Sequence, residues 1–231
     1  LREGVKFHTT DFFTPSRDFN ADDVLFSFNR QYSKDHPYNA YVEGASWEYF
    51  NGMSMPDLIK SIDKVDDYTV KFVLNRPEAP FIANLAMDFA SIFSKEYADQ
   101  LAEAGTMSDL NQKPVGTGPF QFVAYQPDAV IRYKAHPDYW NGKQPIDDLV
   151  FAITTEASVR QQKLIAGECH ITPYPNPADI ESLKANDALK VDEQEGLNVG
   201  YLAYNTKVAP FDNAKVRKAL NSAINKEAIL D

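Results

Sequence analysis

Three sets of residues in this chain could carry chemistry: paired carboxylates, histidines with a lone cysteine, and a close pair of glycines. The carboxylates come as Asp22-Asp23, Asp66-Asp67 and Asp147-Asp148. Acid/base catalysis needs two carboxyls aimed at one bond, and adjacent residues on a helix or strand point apart. Helix caps and turns account for these pairs better. His8, His36, His136 and His170 stand apart, with none of the H-x-H or H-x-x-x-H spacings that seat a metal. Cys169 follows Glu168, an acidic neighbour and not the cationic one that activates a thiol. No G-x-S-x-G sequence is present. Gly116-Thr117-Gly118 could open a phosphate loop, but Pro119 removes a backbone donor and no Gly-Lys-Ser/Thr follows. These residues predict a tight passage of chain in which glycine permits a positive φ and proline fixes the exit. The sequence predicts no catalytic residue, no metal and no enzyme; a hydrolase using scattered carboxylates is the distant alternative.

The aromatic residues Tyr41, Trp47, Tyr49 and Phe50 sit in a glycine-containing stretch without periodicity. Such residues either plug a core or line a pocket, because they offer rigid area with a polar tip. Trp140, before Asn141-Gly142, reads as a packing residue beside a turn. Cys169 by itself reads as a small buried hydrophobe.

Composition narrows the field further. The chain has 231 residues, 44% hydrophobic and 24% charged, enough for one large or two small domains. A net charge of −10 leaves no basic patch to neutralise nucleic-acid phosphates or to hold an anionic membrane surface. No apolar run approaches the roughly 20 residues of a membrane-spanning helix, so direct membrane insertion is not expected.

The elements that must position these residues follow from local pattern. Leu1–Phe7 reads as the end of a hairpin, with Gly4 at a turn. Asn20 caps a helix running to about Gln31, with Asp22 and Asp23 in its first turn. Pro56 suits the first turn of a short helix over Asp57–Ile62. Tyr68–Leu74 alternates as a half-buried strand. A short apolar helix is expected at Phe81–Met87, and Ser94 caps another that Gly105 ends. Beyond Val115 the spacing predicts strands at Phe120–Tyr125, Val130–Lys134 and Leu149–Thr154, then helices at Ser158–Ala166 and Ala178–Asn186. Leu189–Glu193 and Leu197–Tyr204 read as strands. Asn213 caps a last helix with apolar residues Val216, Ala219, Leu220, Ala223 and Ile224 on one face. Strands and helices out of βαβ order predict an α/β (α+β mixed) fold.

Several ordered motifs give a more specific expectation. They are Asn20–Phe28, Arg76–Phe81, Ala86–Ala90, Gly116–Phe120, Asp138–Gly142, Tyr174–Pro177 and Val216–Leu220. Each is weak alone. In this order they resemble the periplasmic solute-binding proteins of ABC importers, family 5, whose members bind peptides, nickel complexes or oligopeptides. Arg76–Phe81, Ala86–Ala90 and Tyr174–Ile180 resemble the dipeptide-binding branch most.

The resemblance implies a type II periplasmic-binding-protein fold of which this chain is a central fragment. Residues 1–116 would be an accessory domain incomplete at its N-terminus. Residues 117–195 would be part of the main N-terminal lobe, and 196–231 the crossing strand and first helix of the C-terminal lobe. It implies a monomer in the periplasm of a Gram-negative bacterium, with the signal peptide outside this chain. That protein would capture dipeptides or short peptides between two lobes and deliver them to a permease in the inner membrane. No cofactor is expected; haem, a nickel complex, an oligopeptide or an antimicrobial peptide are the alternative ligands. Trp47 matches a family position whose aromatic reaches the side-chain pocket, and Asn198 lies on the crossing strand near the cleft. Cys169 matches a family cysteine bonded to one nearer the N-terminus, which would lie outside this chain.

Overall fold

The computed structural model describes residues 1–41, 47–194, 196 and 199–230. They form two compact units, Leu1–Tyr174 and Pro175–Asp231.

Helix α1 (Ala21–Tyr32) is the spine of the first unit. Its start is written locally. The Asn20 side chain accepts from Asp22 N at 2.9 Å, and the Asp23 carboxylate accepts from Asn20 N at 2.9 Å, a reciprocal capping box. Both flanks of α1 are apolar, so it is buried between two cores. Phe26 joins Phe7, Phe13, Tyr38, Tyr97, Leu101 and Leu110 in one cluster. Val24 and Phe28 join Phe50, Met55, Leu58, Ile59, Phe81 and Phe89 in the other.

The chain leaves α1 through α2 (Pro37–Ala40), then α3 (Glu48–Gly52) and α4 (Met55–Leu58). Strands β1 (Ile59–Asp66) and β2 (Thr69–Leu74) form an antiparallel hairpin, with Ile62 opposite Phe72 and Lys64 opposite Val70. The helix expected at Asp57–Ile62 therefore stops at Leu58. Ile59, Ile62 and Val65 are spaced like a helix face, but pairing with β2 overrides that local pattern. No strand forms in Leu1–Phe7 either: a turn at Gly4, φ +70°, leads into coil whose Val5 and Phe7 are buried.

Helix α5 (Phe81–Asn84) is shorter than the sequence suggests. Leu85, Ala86 and Met87 bond backward to Ile82, Ala83 and Asn84, a tighter turn than the α-helix, and a 3₁₀ turn follows at Asp88–Ala90. Helix α6 (Lys95–Glu103) is capped by Ser94 Oγ, which accepts from Tyr97 N at 3.2 Å, and ends at Gly105, φ +71°. Helix α7 (Asp109–Gln112) precedes the antiparallel sheet β3 (Phe120–Gln126), β4 (Val130–Ala135) and β5 (Asp148–Ala152), in spatial order β3-β4-β5. Helix α8 (Ala157–Ile165) closes this unit.

The second unit holds a 3₁₀ turn at Pro177–Asp179, α9 (Ile180–Lys184), α10 (Ala214–Ala223) and α11 (Glu227–Leu230). Asn213 caps α10 as expected, accepting from Lys215 N at 2.9 Å. The strands expected at Leu189–Glu193 and Leu197–Tyr204 do not form among the described residues; Val199 and Tyr201 are highly exposed. A strand needs a neighbour to pair its backbone groups, and no ladder is formed among the described residues of this unit. The fold is thus mixed α and β, built from two small antiparallel sheets without βαβ order.

Candidate functional site

One face of α1 ties down the segment 88–95. Asp23 accepts from Lys95 N at 2.8 Å, Ser27 Oγ accepts from Phe93 N at 2.9 Å, and Gln31 Nε2 donates to Phe89 O at 2.8 Å. Asp23 is fully buried and also takes both guanidinium nitrogens of Arg17, at 2.7 and 2.9 Å. That bidentate geometry is the strong form of the charge-assisted bond.

At the other end of α1, Arg30 is nearly buried, and its guanidinium lies 4.4 Å from the Phe93 ring centroid and 4.8 Å from that of Trp47. Among the described residues no carboxylate lies within ion-pairing distance of it. Burial pushes Arg30 down to about 10, so it remains a cation at neutral pH. Its Nε and the Nε1 of Trp47 are both buried, with no hydrogen-bond partner among the described residues. The two side chains, with Glu48, Tyr49, Asp88 and Phe89, line a cavity of about 220 Å³.

The four aromatics of this stretch divide by role. Phe50 is a core plug, fully buried and 5.7 Å from the Phe89 ring. Tyr41 and Tyr49 are exposed. Trp47, half-buried at the start of α3, is the one held between the core and the cavity. Arg30 was not legible as its partner: a basic residue in the last turn of a helix reads as a solvated dipole partner.

Gly116-Thr117-Gly118 has no phosphate-loop geometry, and its glycines are not at positive φ. Instead the passage clasps a histidine. His8 N donates to Gly116 O at 2.9 Å, Gly116 N donates to His8 Nδ1 at 3.3 Å, and His8 Nε2 bonds Gly118 O at 2.9 Å. These bonds assign the proton to Nε2. The sequence places the histidines apart, yet the fold brings His8 and His136 together, edge to face at 4.8 Å and both buried. His136 Nε2 lies 3.4 Å from Lys6 O, and its backbone N donates to Pro119 O at 2.9 Å. Burial holds His8 down to about 4 against the pull of the Gly118 carbonyl, and lowers His136 as well.

Asn198 lies outside the described residues. Cys169 is a free, half-buried thiol. Asp22 pairs with Lys64 and Asp23 with Arg17, Asp67 shares Lys64 with Asp22, and Asp147 pairs with Lys143. Trp140 is 45% exposed, with Arg2 4.1 Å from its ring centroid, so it does not pack a core. Among the described residues no three metal-ligating side chains cluster, and no helix is long and apolar enough to cross a membrane.

Residues 1–231 match the family described as bacterial extracellular solute-binding proteins, family 5 Middle. The whole chain is 56% identical to the dipeptide-binding protein of Escherichia coli, covering 43% of it. It is 52% identical to heme-binding protein A of Haemophilus influenzae, covering 42% of that protein. A Pseudoalteromonas dipeptide-binding protein, solved in complex with Met-Leu, superposes over the whole chain with a TM-score of 0.93 at 42% identity; 45% of that chain is covered. The chain therefore spans less than half the length of the relatives it matches.

Proposed function

This chain belongs to family 5 of the bacterial extracellular solute-binding proteins, and on that premise we propose that it is part of a binding protein that captures dipeptides and hands them to an importer. The observation that carries this reading is the 56% identity to a dipeptide-binding protein across the full chain. The protein works in the periplasm, with an ABC permease as its partner and no chemistry of its own. Residues 1–116 serve as the accessory domain, 117–195 as part of the first lobe, and 196–231 as the crossing into the second. Cys169 is paired in the mature protein with a cysteine outside this chain.

Capture follows from differential contact. A ligand that touches both lobes favours the closed state only by what it gains there over the open one. The described half supplies shape: Trp47 at a cavity, on a scaffold fixed by α1. A rigid indole discriminates among peptide side chains by area while tolerating water around them. Asn198 contacts the ligand from the crossing segment. Charged ends of a peptide need desolvated partners, and those come from the second lobe.

The test is calorimetry on the full-length protein with dipeptides, haem and a nickel–histidine complex. Dipeptide binding at one site supports the reading; haem binding without dipeptide binding overturns it. Haem is the second reading, favoured by the 52% identical heme-binding relative.

A further inference from the structure

We infer that Arg30 is the positioning residue that sets the Trp47 ring, and through it the side-chain selectivity of the ligand pocket. The inference rests on the reading of Trp47 as ligand-facing.

A guanidinium taken out of water usually answers to a carboxylate, a set of carbonyls or a phosphate. Arg30 answers to none of these among the described residues. Its closest charged neighbours in the cavity lining, Glu48 and Asp88, are exposed and outside ion-pairing reach. Nor does Arg30 cap the helix. The carbonyls of Arg30 and Gln31 at the end of α1 are taken by Asn39 Nδ2, at 3.0 and 3.3 Å. What remains is two ring faces.

Those faces are unequal. Phe93 is immobilised, because its backbone N donates to Ser27 Oγ, which itself donates to Asp23 O at 2.7 Å. Trp47 is held less firmly: it packs against the second core cluster, but among the described residues it begins α3 without a side-chain cap bond and its Nε1 has no partner. The stack therefore has a fixed floor in Phe93, a planar cation in Arg30, and an indole whose orientation the cation decides. A planar guanidinium holds a ring parallel; an ammonium of equal charge does not. The lost hydration of Arg30 makes sense as the means of presenting one indole face to the cavity.

The test uses the full-length protein labelled with 5-fluorotryptophan, with the Trp47 resonance identified by its loss in Trp47→Phe. Arg30→Lys and Arg30→Met should shift and broaden the Trp47 signal and leave Trp140, under Arg2, unmoved. The same variants should change the affinity ratio for Ala-Phe over Ala-Ala by about fivefold, while Arg30→Lys keeps the thermal midpoint. If Arg30→Met does not fold, Phe93→Leu carries the test, with the Trp47 signal again shifted and the affinity ratio again changed. An unmoved Trp47 signal and an unmoved ratio in the Arg30 variants overturn the inference. If Trp47→Ala changes the ratio and the Arg30 variants do not, the inference fails and the pocket reading stands. If Trp47→Ala leaves the ratio at its wild-type value, the pocket reading fails and takes the inference with it.

Discussion

Two arginines at opposite ends of one helix are treated in opposite ways. By the N-terminus of α1, Arg17 meets a fully buried carboxylate in a two-pronged bond, and that carboxylate also satisfies two backbone donors. By the C-terminus, Arg30 is buried between two rings, and its Nε has no partner among the described residues. The first arrangement satisfies the buried carboxylate with four hydrogen bonds and so reads as scaffold. The second leaves buried polar atoms open beside a cavity, which a stable fold tolerates where another demand outweighs packing. The difference separates the part of this unit that holds shape from the part proposed to meet a ligand.

The scaffold end of α1 is most sensitive at Asp23. Asp23→Ala strands Arg17 and the N–H groups of Asn20 and Lys95, and should cost about 4 kcal/mol in urea unfolding. A cost near that of a surface substitution would remove the scaffold half of the contrast.

Acid should act on the scaffold next. His8 titrates near 4 in the fold against 6.5 unfolded, so the unfolded chain takes up the proton first. The stability contributed by neutral His8 is complete above pH 6.5 and drains away as pH falls toward 4, up to about 3 kcal/mol. His136 faces His8, Lys6 O and Asp138 face His136, and the lowered His136 adds in the same direction. Thermal midpoints between pH 7 and 4.5 should decline, and His8→Gln should flatten that decline. An unchanged slope in the variant would place the acid sensitivity elsewhere.

Asn20→Ala removes one cap bond and should cost about 1 kcal/mol. Arg30→Met comes last: with no ion pair to break, stability should move by less than about 1 kcal/mol in either direction. If Arg30→Met destabilises as strongly as Asp23→Ala, both ends of α1 are scaffold and the contrast is lost.

Legibility in the sequence follows the same division. The start of α1 could be read because Asn20, Asp22 and Asp23 act on one another within a single turn. The α6 cap and the sheet β3-β4-β5 were legible for similar local reasons. Strand β1 was not, since Pro56 and the spacing of Ile59, Ile62 and Val65 speak for a helix until β2 pairs with them. The Arg30–Trp47 stack and the His8–His136 pair were invisible because their members meet only across the fold. Motif order, by contrast, identified the family even where single motifs meant little. Gly116–Gly118 served there as a marker, and the fold adds what it does: it clasps His8.

Titration calorimetry of the full-length protein with Ala-Phe and Ala-Ala, repeated for Trp47→Ala and for residues 1–231 alone, tests the central claim most directly. Micromolar or tighter binding by the whole protein is expected, with Ala-Phe weakened about tenfold more than Ala-Ala by Trp47→Ala, and little binding by residues 1–231. Micromolar binding by residues 1–231 alone, or no dipeptide binding by the whole protein, would contradict it.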